Sequence, residues 1–313
     1  MAERSMSEFS VTDAAFAGFR LASHKPMVVV TWAAFYFVMS TVTGALMVNL
    51  AGPAMMQLQN MQGQILQVDV TGANSPAVVA LFARVLPFYL MMIPVSLVFG
   101  AIAVGAGTRA ILRPAEDGFS YLRLGADELR LVVVILVIGI IMAVIYFAGA
   151  VVMGVLLGAA GAGGAGGAGL LILIALIGLL LAAMLYLASR FSLAPSLTLD
   201  RKAISIFDSL ALTRRHSARI FLTYVLTLLL NIMIICAGLA VVAVAAVAMG
   251  AAPTASAKML RPDMSSLTAY FTPLEIIQYA VMAVAGGLGM AITLAAPATI
   301  YKSLTRDGAH TVF

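Results

Sequence analysis

The chain has 313 residues, of which 63% are hydrophobic and 10% charged, with 18 Lys and Arg against 13 Asp and Glu. Globular domains average about 45–50% apolar and about 25% charged residues, so a water-soluble fold would have too little polar surface to cover this much hydrocarbon. The composition excludes a soluble domain, and the net charge of +5 is spread unevenly enough to set an orientation.

In chain order, residues 1–25 mix Glu3, Arg4, Glu8, Asp13 and Arg20 with apolar positions. A cleavable leader instead runs from a short cationic region into an apolar core, so an amphipathic cytoplasmic segment is expected here and no signal peptide. Six uncharged runs follow, at 26–50, 85–107, 131–157, 170–189, 220–247 and 276–301. Each supplies the roughly 20 apolar residues a helix needs to cross a hydrocarbon core of ~30 Å. The stretch 131–189 has no Asp, Glu, Lys, Arg or His over 59 residues and carries a glycine-alanine tract at 158–169 in its middle. It reads as two crossings joined by a tight turn. The fold class is therefore all-α: a polytopic membrane bundle of about six transmembrane helices with amphipathic helices along the cytoplasmic interface. The transmembrane domain is 26–304, followed by a tail at 305–313.

Lys and Arg near span ends are retained on the cytoplasmic side. Arg4, Arg20 and Lys25 precede the first span, and Arg109, Arg113, Arg123 and Arg130 separate the second from the third. Arg190, Arg201, Lys202, Arg214, Arg215 and Arg219 separate the fourth from the fifth, and Lys302 and Arg306 follow the sixth. Only Arg84, Lys258 and Arg261 fall on the other side, so both termini are expected in the cytoplasm.

Three segments leading into odd-numbered spans superimpose, beginning at Phe16, Phe119 and Phe207. Each has Phe or Leu three residues on (Phe19, Leu122, Leu210) and Leu five residues on (Leu21, Leu124, Leu212), then a polar stretch and an uncharged run. Such a unit would be an amphipathic helix plus a transmembrane hairpin, present three times. Shared membrane constraints alone are the competing account. Between spans 1 and 2, apolar residues from Met55 to Val68 alternate with glutamines and Asn60, which suits a helix capping the outer end of the bundle, or a segment for the outer interface or a partner. Ser75-Pro76 and Thr272-Pro273-Leu274-Glu275 read as helix starts, the second as a capping box.

Ionisable groups held in hydrocarbon mark transport paths by default, and here they are scarce. Arg84 and Glu275 could pair as an outer gate; the plainer account has Arg84 snorkelling to headgroups and Glu275 serving the cap. Asn231 is the most polar side chain in span 5 and is expected to hydrogen-bond for packing. Pro87, Pro94 and Pro297 should kink their helices and open space between them. Small residues at 100–107, 149–169 and 285–289 predict close helix contacts, within one chain or between copies in a homo-oligomer. Cys236, the one cysteine, reads as a small packing residue.

Enzyme templates are missing from the sequence: no Walker loop with its Lys, no HExxH, no paired cysteines. His24, His216 and His310 are far apart and read as surface residues. Glu116/Asp117 and Asp127/Glu128 are adjacent pairs whose members diverge on a helix, and they are expected to balance Arg113, Arg123 and Arg130. No catalytic residue, metal, cofactor or nucleic-acid partner is expected.

A helix with cations beside an apolar face lies at headgroup level, where each cation near an anionic leaflet contributes about 1 kcal/mol. Residues 200–219 fit, with Ile204, Phe207, Leu210 and Leu212 apolar and Arg214, Arg215 and Arg219 basic. The ordinary excess of cytoplasmic cations explains the same pattern. The segment RFSLAPSLTLDRKAISIFDSLALTRRHSARIF from Arg190 to Phe221 resembles the membrane domain of some bacterial glycerophosphoryl diester phosphodiesterases and related polytopic inner-membrane proteins. Arg190, Pro195, Ser209, Leu212 and Thr213 carry the resemblance. It implies a lipid-proximal role in a bacterial inner membrane without the phosphodiesterase activity, which belongs to a separate soluble domain in that family.

The expected function is a non-enzymatic integral membrane protein that binds or organises phospholipid, with Arg123, Arg130, Arg214, Arg215 and Arg219 holding anionic headgroups. The alternative is a transporter or channel for a lipid or small apolar solute, using a path along Arg84, Asn231 and Glu275.

Overall fold

A computed structural model describes residues 9–65, 76–162, 166–250 and 262–309. Helices make up nearly nine-tenths of the described residues, and no strand forms among them. Hydrocarbon offers no partner to a backbone amide, so an apolar chain at that depth satisfies its own N–H and C=O groups along helices. Short helices α1 (Val11–Ala15) and α2 (Ala17–His24) lead into α3 (Pro26–Ile65), followed by α4 (Pro76–Leu112), α5 (Ala126–Ala162) and α6 (Gly166–Phe191). Helices α7 (Ala194–Arg201) and α8 (Asp208–Thr213) precede α9 (Ser217–Ala248), and α10 (Leu267–Tyr270) precedes α11 (Pro273–Ala309).

Six of these, α3, α4, α5, α6, α9 and α11, are long and apolar enough to cross a membrane, and they contain the six expected runs. The protein is a multi-pass membrane protein with an all-α bundle architecture. Side chains such as Val152, Val155, Leu171, Leu181 and Val247 are 57–75% exposed, as suits helices whose outer faces meet lipid. Helix α3 runs through Pro53 to Ile65 without a break. The glutamine-rich stretch is therefore a continuation of span 1 up to that residue, with Met55 and Leu58 packed on Ala51, Ala54, Leu81 and Val85; residues 66–68 lie outside the described residues. Pro87, Pro94 and Pro297 also sit inside continuous helices.

The chain divides into two compact units: residues 1–24, 97–230 and 290–313 in one, and 25–96 and 231–289 in the other. The boundaries fall within α4, α9 and α11 and at the end of the expected N-terminal segment.

In the first unit, Leu193, Leu197, Ile220, Ile300 and Tyr301 form a core with Ala14. The N-terminal segment is thus packed into protein. At Gly18 a Cβ would sit 2.3 Å from Ile292 Cα, so only glycine lets α2 lie directly on the backbone of α11. The three segments beginning at Phe16, Phe119 and Phe207 take different forms: helices α2 and α8 in the outer two, and a single 3-10 turn at Gly118–Tyr121 in the middle one. The expected amphipathic helix is missing there because Phe119, Ser120 and Tyr121 have φ of 48°, 54° and 66°. That left-handed turn holds Phe119 78% exposed and Tyr121 fully buried.

In the second unit, α3 runs antiparallel to the first half of α11. Gly287 lies against Ala33 and Gly286 against the Tyr36 ring, while Gly44 lies against the Tyr270 and Tyr279 side chains. The small residues at 285–289 act as expected within one chain.

Candidate functional site

The first unit contains a buried ion pair. Arg109, in the last turn of α4, pairs through Nη2 with Oε1 of Glu128 in the first turn of α5, and the two side chains are 3% and 5% exposed. Arg109 Nη1 also donates to the Tyr121 carbonyl at 2.8 Å. Gly105 makes the space: a Cβ there would lie 3.0 Å from Glu128 Oε1 and 3.3 Å from Arg109 Nη2. Each charge complements its helix dipole, the cation at a C-terminus and the carboxylate at an N-terminus. Glu128 was expected to balance Arg113, Arg123 and Arg130 at the surface; it is buried on Arg109 instead. The signal available in the sequence was a cation closing one uncharged run and an acid opening the next.

The neighbouring cations bind backbone. Arg113 Nη2 donates to the Leu199 carbonyl at 3.0 Å, Arg190 Nη2 to the Leu210 carbonyl at 2.8 Å and Lys302 Nζ to the Ile111 carbonyl at 3.2 Å. Leu199 and Ile111 lie in the last turns of α7 and α4, where carbonyls have no intrahelical partner. Ser209 Oγ donates to the Arg190 carbonyl at 2.7 Å, and Thr213 Oγ1 to the Ser209 carbonyl at 2.7 Å. The folded connection between α6 and α9 therefore gathers Arg190, Ser209 and Thr213 into one hydrogen-bonded group.

The five arginines expected to hold headgroups separate into two sets. Arg123 pairs with Glu116 Oε2 at 3.2 Å and also donates to the Glu116 carbonyl, and Arg130 pairs with Asp127 Oδ1 at 2.6 Å. Their charges are largely answered by protein. Arg214 and Arg215, on a one-turn 3-10 helix between α8 and α9, are exposed, and their side chains form no hydrogen bond or ion pair among the described residues. Arg219 is half-buried, and its carbonyl accepts from Thr223 Oγ1 at 2.9 Å. Ile204 and Phe207, earlier in the same connection, are 52% and 65% exposed.

Arg84, Asn231 and Glu275 all belong to the second unit. Arg84 is exposed on α4 and makes no ion pair with Glu275. Asn231 Oδ1 lies 2.6 Å from where a Cβ of residue 289 would stand, so it packs against Gly289. The Glu275 amide donates to Thr272 Oγ1 at 3.3 Å, which forms the N-terminal half of the expected capping box. The Glu275 carboxylate instead borders a cavity lined in part by Tyr36, Tyr270, Gln278 and Tyr279. Just before α10, the Ser265 hydroxyl and amide hydrogen-bond to Asp263 and hold its carboxyl below the usual carboxylate range.

Cys236, expected as a small packing residue, is exposed on α9. Among the described residues, no group of three His, Cys, Asp or Glu side chains is placed to hold a metal ion. His24 Nδ1 is 2.8 Å from the Arg20 carbonyl oxygen, and the His216 ring meets Phe9 edge-on; His310 lies outside the described residues. No protein-family model matches the chain, no curated protein is similar to it and no solved structure resembles it.

Proposed function

We propose that the protein binds anionic phospholipid headgroups through Arg214 and Arg215, and organises lipid in a bacterial inner membrane without catalysing a reaction. One observation supports this reading. Arg109, Arg113, Arg123, Arg130, Arg190 and Lys302 are engaged by carboxylates or carbonyls, whereas the adjacent pair Arg214 and Arg215 has no partner among the described residues. Two free guanidinium groups beside an anionic leaflet are worth about 2 kcal/mol, or roughly thirtyfold in lipid retention. The exposed Ile204 and Phe207 supply apolar surface at the same connection.

The test is native mass spectrometry of protein released from nanodiscs of mixed phosphatidylglycerol and phosphatidylcholine. The variant Arg214→Gln/Arg215→Gln/Arg219→Gln should lose most retained phosphatidylglycerol, while Arg123→Gln/Arg130→Gln should keep it. Equal retention by both variants would remove the assignment. The rival reading, passage of a solute, is favoured by the cavity beside Glu275, and a liposome flux that Glu275→Ala abolishes would shift the balance to it.

A further inference from the structure

The cavity in the second unit has a chemistry of its own. It is a half-open cavity of about 210 Å³, room for a small organic ion. Glu275, Gln278, Tyr279 and Met282 are spaced i, i+3, i+4 and i+7 and so share one face of α11, and all four line the cavity. Tyr36 and Tyr270 line it as well.

Packing fixes the aromatic walls. The Tyr36 ring lies flat on Gly286, where a Cβ would stand 3.0 Å from three ring atoms. The Tyr270 and Tyr279 hydroxyls hydrogen-bond to each other at 2.7 Å, and their rings are 6.4 Å apart at 55°. Gly44 makes this pair possible, since a Cβ there would come within 2.7 Å of the Tyr279 hydroxyl.

Among the described residues, the one formal charge at the cavity is negative. The Glu275 side chain forms no ion pair among the described residues, and Gln278 Oε1 is buried with no hydrogen-bond donor. No described cation lines the cavity. The walls therefore offer aromatic rings, a carboxylate, an amide, a thioether, the Pro262 ring and the Ser40 hydroxyl, whose proton is given to the Phe37 carbonyl. An anion would face the carboxylate with no cation among the described lining residues to neutralise it. A neutral solute would leave the carboxylate unanswered, and a small metal ion would lose its water to ring faces that coordinate it poorly. A bulky, weakly hydrated cation suits the rings and the carboxylate together, because ring faces attract it and the carboxylate balances its charge.

We propose that this cavity binds an organic ammonium group, such as a methylated or otherwise alkylated amine. The ammonium could arrive as a free solute or as a phospholipid headgroup. This site is separate from Arg214 and Arg215 and stands or falls independently of the headgroup reading given above.

The experiment titrates full-length protein in phosphatidylglycerol nanodiscs with choline and, in parallel, with its uncharged isostere 3,3-dimethylbutan-1-ol, by isothermal titration calorimetry. Choline should bind at least tenfold more tightly than the neutral isostere. Glu275→Gln should weaken choline at least tenfold, and Tyr279→Leu should weaken it comparably. Tyr279→Phe, which keeps the ring, should stay within about threefold of the unsubstituted protein. The comparison of choline with its isostere needs no variant, so it remains decisive even if a substitution perturbs folding. Equal binding of the two compounds, no choline binding, or full affinity in Glu275→Gln would overturn the site. Repeating the titration with phosphatidylcholine in the nanodisc identifies the source: competition with choline assigns the cavity to a lipid headgroup, and undiminished choline binding assigns it to a free amine.

Discussion

Arg109 and Glu128 are joined in an ion pair whose side chains are 3% and 5% exposed, and the absence of a side chain at residue 105 leaves room for the pair. It ties the end of α4 to the start of α5 and fixes the buried Tyr121 through its carbonyl. Breaking a buried pair by removing one partner typically costs ~3–5 kcal/mol, since the other charge is left without compensation, whereas replacing both with apolar groups is often neutral. Glu128→Gln and Arg109→Met should each lower stability by that amount in detergent unfolding, and Arg109→Met/Glu128→Leu should lose less than either. A double variant that loses the sum of the singles would show that the two charges are not coupled.

Gly18 is a steric test of the N-terminal segment. A Cβ would meet the α11 backbone at 2.3 Å, and backbone cannot give way as a flexible side chain does. Gly18→Val should displace α2 from Ile292, cost ~1–3 kcal/mol by overpacking and speed hydrogen exchange across residues 11–24. Unchanged exchange would mean that α2 does not dock there.

The turn at Phe119 to Tyr121 makes opposite predictions for two substitutions at one position. Ser120 has φ 54°, and left-handed backbone costs an L-residue roughly 1–2 kcal/mol. Ser120→Gly should leave stability equal or raise it by about 1 kcal/mol, whereas Ser120→Val should lower it. Thermal midpoints in the opposite order would contradict the left-handed conformation.

Two polar contacts at neighbouring positions should differ in strength. The Tyr301 hydroxyl donates to Asp200 Oδ2 at 2.6 Å from a ring that is 4% exposed, so Tyr301→Phe should cost about 1 kcal/mol. Arg201 and Asp208 pair at 2.6 Å, but both side chains are more than half exposed, and Arg201→Gln should change stability by less than ~0.5 kcal/mol. Chemical unfolding of both variants under the same conditions checks the ranking.

The sequence alone determined what depends on the solvent of the chain. The six helices lie over the uncharged runs because length and hydropathy decide whether a segment can satisfy its backbone in hydrocarbon, and neither depends on the neighbours of that segment. Helix starts at Pro26, Pro76 and Pro273 were legible for the same local reason. Tertiary structure decided which charges are answered. Arg109 and Arg123 read alike as cytoplasmic cations, yet one is buried on Glu128 and the other lies in a surface pair with Glu116. The difference comes from Gly105 and from the left-handed turn at Phe119, and neither can be read from charge. The cavity was half legible, because the spacing of Glu275, Gln278, Tyr279 and Met282 places them on one helix face. That this face meets Tyr36 across Gly286 follows only from two helices packing closely, which depends on the shape of both at once.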